Sequence, residues 1–145
     1  MSARDTILDN FKQLLSDIST TNGYNCDVAK VERKMLYWDV EESFPVLMVL
    51  GGNEEYEDTL GSIVYSTLHV RIRGYSQDST DPETALCNII ADVIKAIDSQ
   101  DNPYRNETSI IRLETDEGWF NFQEQGFGYF DLEVTVRYSF EKGNP

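Results

Sequence analysis

The sequence predicts an α+β fold, a mainly antiparallel β-sheet with two helices packed on one face and projecting loops or a hairpin. Three observations carry this. The stretch Phe130–Phe140 alternates without a fault: Phe130, Leu132, Val134, Val136, Tyr138 and Phe140 point one way. Asp131, Glu133, Thr135, Arg137 and Ser139 point the other, a period of two that marks a strand with one face in a core. It runs roughly twice the usual five or six residues and so reads as the spine of the sheet. Second, two segments carry apolar residues at helical spacing. Third, the connections between several strands have hairpin length, which favours antiparallel pairing and an α+β sandwich.

The first helix covers about residues 3–19. Ser2 and Asp5 make a capping-box-like start, and Ile7, Leu8, Phe11, Leu14, Leu15 and Ile18 form one stripe before Thr20–Gly23 ends it. Cys26–Met35 reads as a moderately amphipathic strand. Tyr37 and Trp38 then sit in an acidic linker that ends at Phe44–Pro45, where proline favours extended backbone. Val46–Leu50 is a continuous apolar run, consistent with a strand buried on both faces. The segment Asn53–Gly61, with Glu54, Glu55, Glu57 and Asp58, is too long for a tight turn and is expected to project as a flap. Ser62–Tyr75 alternates again, with Arg71 and Arg73 placed to meet Asp131 and Glu133 if the two long strands are neighbours.

Asp81 as N-cap and Pro82 at the first helical position open the second helix, about residues 82–99. Its stripe is Ala85, Leu86, Ile89, Ile90, Val93, Ile94 and Ile97. Ser109–Thr115 reads as a short strand, followed by an acidic, aromatic loop to Gln125 that contains Trp119, Phe120 and Phe122.

With 145 residues the chain is expected to form one domain spanning 1–145. Its balance of 12 Lys and Arg against 26 Asp and Glu, net −14, opposes nucleic-acid and anionic-membrane binding. Cys26, expected on a strand, and Cys87, expected on a helix, match no metal spacing and read as buried thiols in a reducing compartment. No apolar run has the length of a signal peptide core or a membrane span, so folding in a cytoplasm is expected.

No catalytic constellation emerges, and no cofactor or metal is expected. His69 is the sole histidine and falls on a strand. The Glu54–Asp58 carboxylates lack the alternating ligand spacing of a calcium loop and read as a solvated flap. Gly126-Phe127-Gly128 precedes a strand rather than a helix, which excludes a dinucleotide fingerprint. The aromatics Tyr37, Trp38, Trp119, Phe120 and Phe122 admit two readings: satellite core closing the open side of the sheet, or an oligomer or partner contact.

The order of segments is familiar. FPVLMVLGG follows the acidic linker, and a long strand ends in RIRGY. DPE introduces a helix with ALCNIIADVIKAI, and IIRLETDEGW and FDLEVTVRYSF close the pattern. This resembles the tail terminator (tail-completion) proteins of long-tailed bacteriophages. Thr115–Trp119, the helix before it and the EVTVRY strand carry most of the likeness. The resemblance implies a structural virion protein forming a ring, a hexamer, that caps the tail tube, ends its polymerisation and joins the tail to the head connector. It implies a tail-tube protein and a head-completion or connector protein as partners, and DNA passing through the lumen without specific binding. Assembly in the host cytoplasm and a place at the head-proximal end of the tail are expected with it. In such a ring Tyr37, Trp38, Trp119, Phe120 and Phe122 would serve contacts, and Glu54, Glu55, Glu57 and Asp58 would lie at the lumen or ring edge. The alternatives are another neck or minor tail protein of related fold, or a small monomeric ligand- or protein-binding module.

Overall fold

The computed structural model describes residues 2–37, 39–99 and 126–145 in full, together with the backbone of 110–122. Helix α1 (Ala3–Ser16) starts where the sequence predicts, with the Ser2 hydroxyl accepting the Asp5 N–H at 3.1 Å. It stops three residues short of the expected end, and a 3-10 turn (Thr20–Asn22) follows. Strand β1 is only Lys30–Glu32; Cys26 precedes it in irregular backbone, contrary to the strand expected over Cys26–Met35. Strands β2 (Val46–Asp58) and β3 (Ile63–Gln77) form a long hairpin, and α2 (Pro82–Asp98) follows with Asp81 capping the Thr84 N–H. Strands β4 (Ile110–Phe122) and β5 (Phe127–Glu141) complete a five-stranded sheet in the order β1-β2-β3-β5-β4. All pairings are antiparallel except β1 with β2.

The alternation read in the last strand governs the core. Leu68, Val70 and Ile72 of β3 join Phe130, Leu132, Val134, Val136 and Tyr138 of β5 in one hydrophobic cluster. The same cluster takes Ile7, Leu8, Phe11 and Leu15 from α1 and Leu86, Ile89, Val93, Ala96 and Ile97 from α2. Phe130 gains its place because Gly74 stands opposite it on β3. A Cβ on Gly74 would sit 2.6 Å from Phe130 Cζ and 2.8 Å from Leu47 Cδ2.

The run Val46–Val49 is buried throughout, as its unbroken apolar character requires. Leu47 and Val49 enter the large cluster, while Val46 and Met48 form a second one with Leu36 and Tyr75. This second cluster is closed by the strap between β1 and β2. The Tyr75 hydroxyl donates to the Leu36 carbonyl at 2.9 Å, and the Phe44–Pro45 peptide is cis. Asp92 of α2, buried, accepts the backbone N–H groups of Asn25 and Cys26 at 3.0 and 2.9 Å and so fastens the segment before β1 to the helix.

The thiols differ from the expectation that both are buried. Cys87 is exposed on α2, at a position off its apolar stripe. Cys26 is partly buried, and burial, then the neighbouring Asp92 carboxylate, pushes its pKa up to about 11.

Candidate functional site

The acidic segment expected as a loop is strand. Glu54–Asp58 pairs with Val64–Leu68 of β3, leaving a connection of residues 59–62 at the hairpin end. The reading missed this because GGNEEYED has no apolar alternation, and its strand state comes from pairing with β3 rather than from side-chain burial. A bulge sits between Gly51 and Glu54: Gly51 is opposite Val70, but Glu54 is opposite Leu68, one residue more on β2 than on β3. The extra residue inverts which parity faces the core. Before it, Leu47 and Val49 point to the large cluster; after it, Glu54 and Tyr56 share the face of Leu68 and Ser66. Gly52 fits the bulge, since a Cβ there would lie 2.7 Å from the His69 carbonyl oxygen.

The four carboxylates therefore divide. Glu54 turns inward, its side chain 5% exposed, and accepts from Arg4 Nη1 at 3.0 Å, Ser66 Oγ at 2.5 Å, Tyr56 Oη at 3.2 Å and the Tyr138 hydroxyl. Burial opposes its charge, but hydrogen bonds from Ser66, Tyr138, Arg4 and Tyr56 outweigh it and hold the carboxyl below its usual range. Burial, then the Glu54 hydrogen bond, pushes the Tyr138 hydroxyl well up. Glu55, Glu57 and Asp58 are exposed and paired to cations or the histidine: Glu55 with His69 at 3.6 Å, Glu57 with Arg137 at 3.0 Å, Asp58 with Lys142 at 3.0 Å.

The Glu55 and Glu57 pairs belong to a polar lattice on the sheet face opposite the large cluster, whereas Asp58 has the parity of Glu54 and Tyr56. Arg73 grips Asp131 with two hydrogen bonds, 2.8 and 2.9 Å, directly across β3 and β5, as the strand register anticipated. Arg71 stands opposite Glu133, whose carboxylate meets His69 Nδ1 at 2.9 Å. Arg137 passes over the Tyr65 ring, 5.3 Å from its centroid, to reach Glu57 on β2. A cleft of about 390 Å³ lies here, lined in part by Gly52, Glu55, His69, Arg71 and Glu133. Carboxylates stand at both ring nitrogens of His69, so the imidazole is tied into cross-strand links. Among the described residues no group of three or more His, Cys, Asp or Glu is placed to hold a metal ion. No helix among them is long and apolar enough to cross a membrane.

The aromatic candidates are redistributed as well. Trp119, Phe120 and Phe122 lie on strand β4, opposite Asp131, Phe130 and Gly128, not in a loop before the last strand. Residues Thr115–Glu117 read as loop because they are polar, yet β5 supplies their backbone partners, with a register shift between Thr115 and Glu117. The side chains of Trp119, Phe120 and Phe122, and Trp38 altogether, lie outside the described residues. Tyr37 is 61% exposed on the strap, next to exposed Met35 and Val40, which the sequence reading did not single out. At the hairpin end Leu60 is fully exposed and Tyr56 is 64% exposed, edge-on to Phe140 at 6.3 Å. Both were passed over because single apolar residues in an acidic run carry no periodic signal.

The fold is thus an α+β domain with a mostly antiparallel sheet, a long β2–β3 hairpin and exposed apolar residues on the strap and at the hairpin end. The chain belongs to the bacteriophage tail tube terminator family: a family model described as Bacteriophage Tail Tube Terminator Protein matches residues 1–144. A search of curated proteins finds no match. Membership makes the protein a structural component of the phage tail with a tail tube terminator role.

Proposed function

We propose that the protein assembles as a hexameric ring on the end of the tail tube, stops tube polymerisation there, and offers its opposite side to the head connector. The family match over residues 1–144 carries this reading. A closed head-to-tail ring needs two different patches per subunit. The strap around Tyr37 and the hairpin end around Tyr56 and Leu60 are two such exposed patches, adjoining opposite ends of β2. Trp38, Trp119, Phe120 and Phe122 join Tyr37 as subunit or tube contacts in this proposal. Glu55, Glu57 and Asp58 face the lumen or ring edge, while Glu54 holds the hairpin in shape from inside. The net charge of −14 fits a conduit through which DNA passes without being bound. The whole chain acts as one unit at the head-proximal end of the tail, put together in the host cytoplasm.

The test is to mix the purified protein with tail-tube protein and follow the products by light scattering and negative-stain microscopy. Six-fold rings, free or seated on tube ends, with tubes of limited length, are expected. Tubes that grow without limit and carry no added density at their ends would overturn the proposal.

A further inference from the structure

We propose that Glu54 is the latch of a releasable edge strand: the second half of β2, from the Gly51–Gly52 bulge to Asp58, can leave β3 while the rest of the sheet stays paired. The inference rests on local geometry and does not depend on the terminator reading. The bulge marks a boundary in the β2–β3 ladder, whereas β3 and β5 pair without a register shift from Ile63–Glu141 to Gln77–Phe127. Before the boundary Val46–Val49 are buried and Leu50 is half-buried; from Gly51 to Asp58 every residue is exposed except Glu54. Among the described residues, β1 pairs with β2 only at Val46–Met48, so the second half is held by a ladder on one side.

What fastens it from within is one carboxylate, beside the edge-on contact of the Tyr56 ring with Phe140. Glu54 draws together Arg4 of α1, Tyr56 of its own strand, Ser66 of β3 and Tyr138 of β5. Arg4 also donates to the Gly52 carbonyl at 3.0 Å, so the start of α1 clamps both the bulge and the latch. The outer links, Glu55 to His69, Glu57 to Arg137 and Asp58 to Lys142, are solvent-exposed pairs of the kind that hold little by themselves. Removing the latch therefore opens this segment first, because the free energy of local opening follows the few contacts that close it.

Hydrogen exchange on the full-length chain, read by mass spectrometry, tests this with Glu54→Gln and Arg4→Gln. Peptides covering residues 53–62 are expected to exchange at least about tenfold faster in both variants, while peptides within 68–76 and 130–136 keep their wild-type rates. Unchanged exchange over 53–62 overturns the proposal. So does an equal acceleration across the whole sheet, which would make Glu54 a general support of the core. If Glu54→Gln does not fold, Arg4→Gln decides alone, since that side chain is 36% exposed and its loss opens no cavity.

Discussion

Gly74 and Phe130 face each other in the β3–β5 ladder, and the ring occupies the space a side chain at 74 would need. Gly74→Ala is therefore expected to destabilise the fold by about 1–3 kcal/mol, the usual cost of forcing extra volume into a packed core. Urea unfolding checks it, with Phe130→Leu in the same background expected to recover part of the loss. Glu54 gives a residue-scale test in pH. Its folded-state pKa is lowered, so the stability it contributes is present above the ordinary glutamate value and is lost as the pH falls through the folded value. Below about pH 4.3 wild type should lose more stability than Glu54→Gln, which carries no proton to take up. Near neutrality Glu54→Gln is expected to be less stable by about 1–3 kcal/mol, and the gap narrows as the pH falls. Equal losses on acidification would refute the inward-facing charge.

At the scale of elements, the two helices and the last strand were legible because burial on one side writes a period into the sequence. Ile7–Ile18, Ala85–Ile97 and Phe130–Phe140 each kept an apolar residue at nearly every inward position. The second half of β2 and the length of β4 were not legible, for a shared reason. Both owe their strand state to a neighbour, β3 for Glu54–Asp58 and β5 for Thr115–Phe122, and neither carries a regular apolar alternation, Glu54–Asp58 being acidic around Tyr56 and Thr115–Gly118 polar, acidic or glycine. The bulge compounds this, since moving the parity by one residue places Glu54 inside and Glu55 outside with no local mark of the change. The contact assignment belongs to these same elements. Leu60→Ser at the hairpin end should leave the thermal transition near wild type, and it and Trp119→Ala in β4 should each abolish capping of tail tubes in the mixing assay. Normal capping by both would remove β4 and the hairpin end from the contact surface.

For the whole molecule, like charge works against assembly. Each subunit brings −14, and at least seven of its twelve Lys and Arg, Arg73 and Arg137 of the lattice among them, are already paired with carboxylates of the same subunit. Ring formation is therefore expected to strengthen as salt rises from about 10 to about 150 mM, where the screening length shrinks from about 30 to about 8 Å. Sedimentation at the two ionic strengths measures it; rings that dissociate at the higher salt would point instead to an interface held by ion pairs. The strand order carries a further consequence, for synthesis. β5 is the sole partner of β4 and the second partner of β3 among the described residues, so no chain ending before Phe127 can close this sheet. Val64 must wait for Phe140 to leave the ribosome before its ladder to β5 is made. Until then only β1, α1 and α2 are there to hold the β2–β3 hairpin, and the exposed strand edge of β3 is open to wrong partners. A protein that halts the growth of a polymer thus passes through a stage in its own making when it offers an unpaired strand to whatever grows nearby.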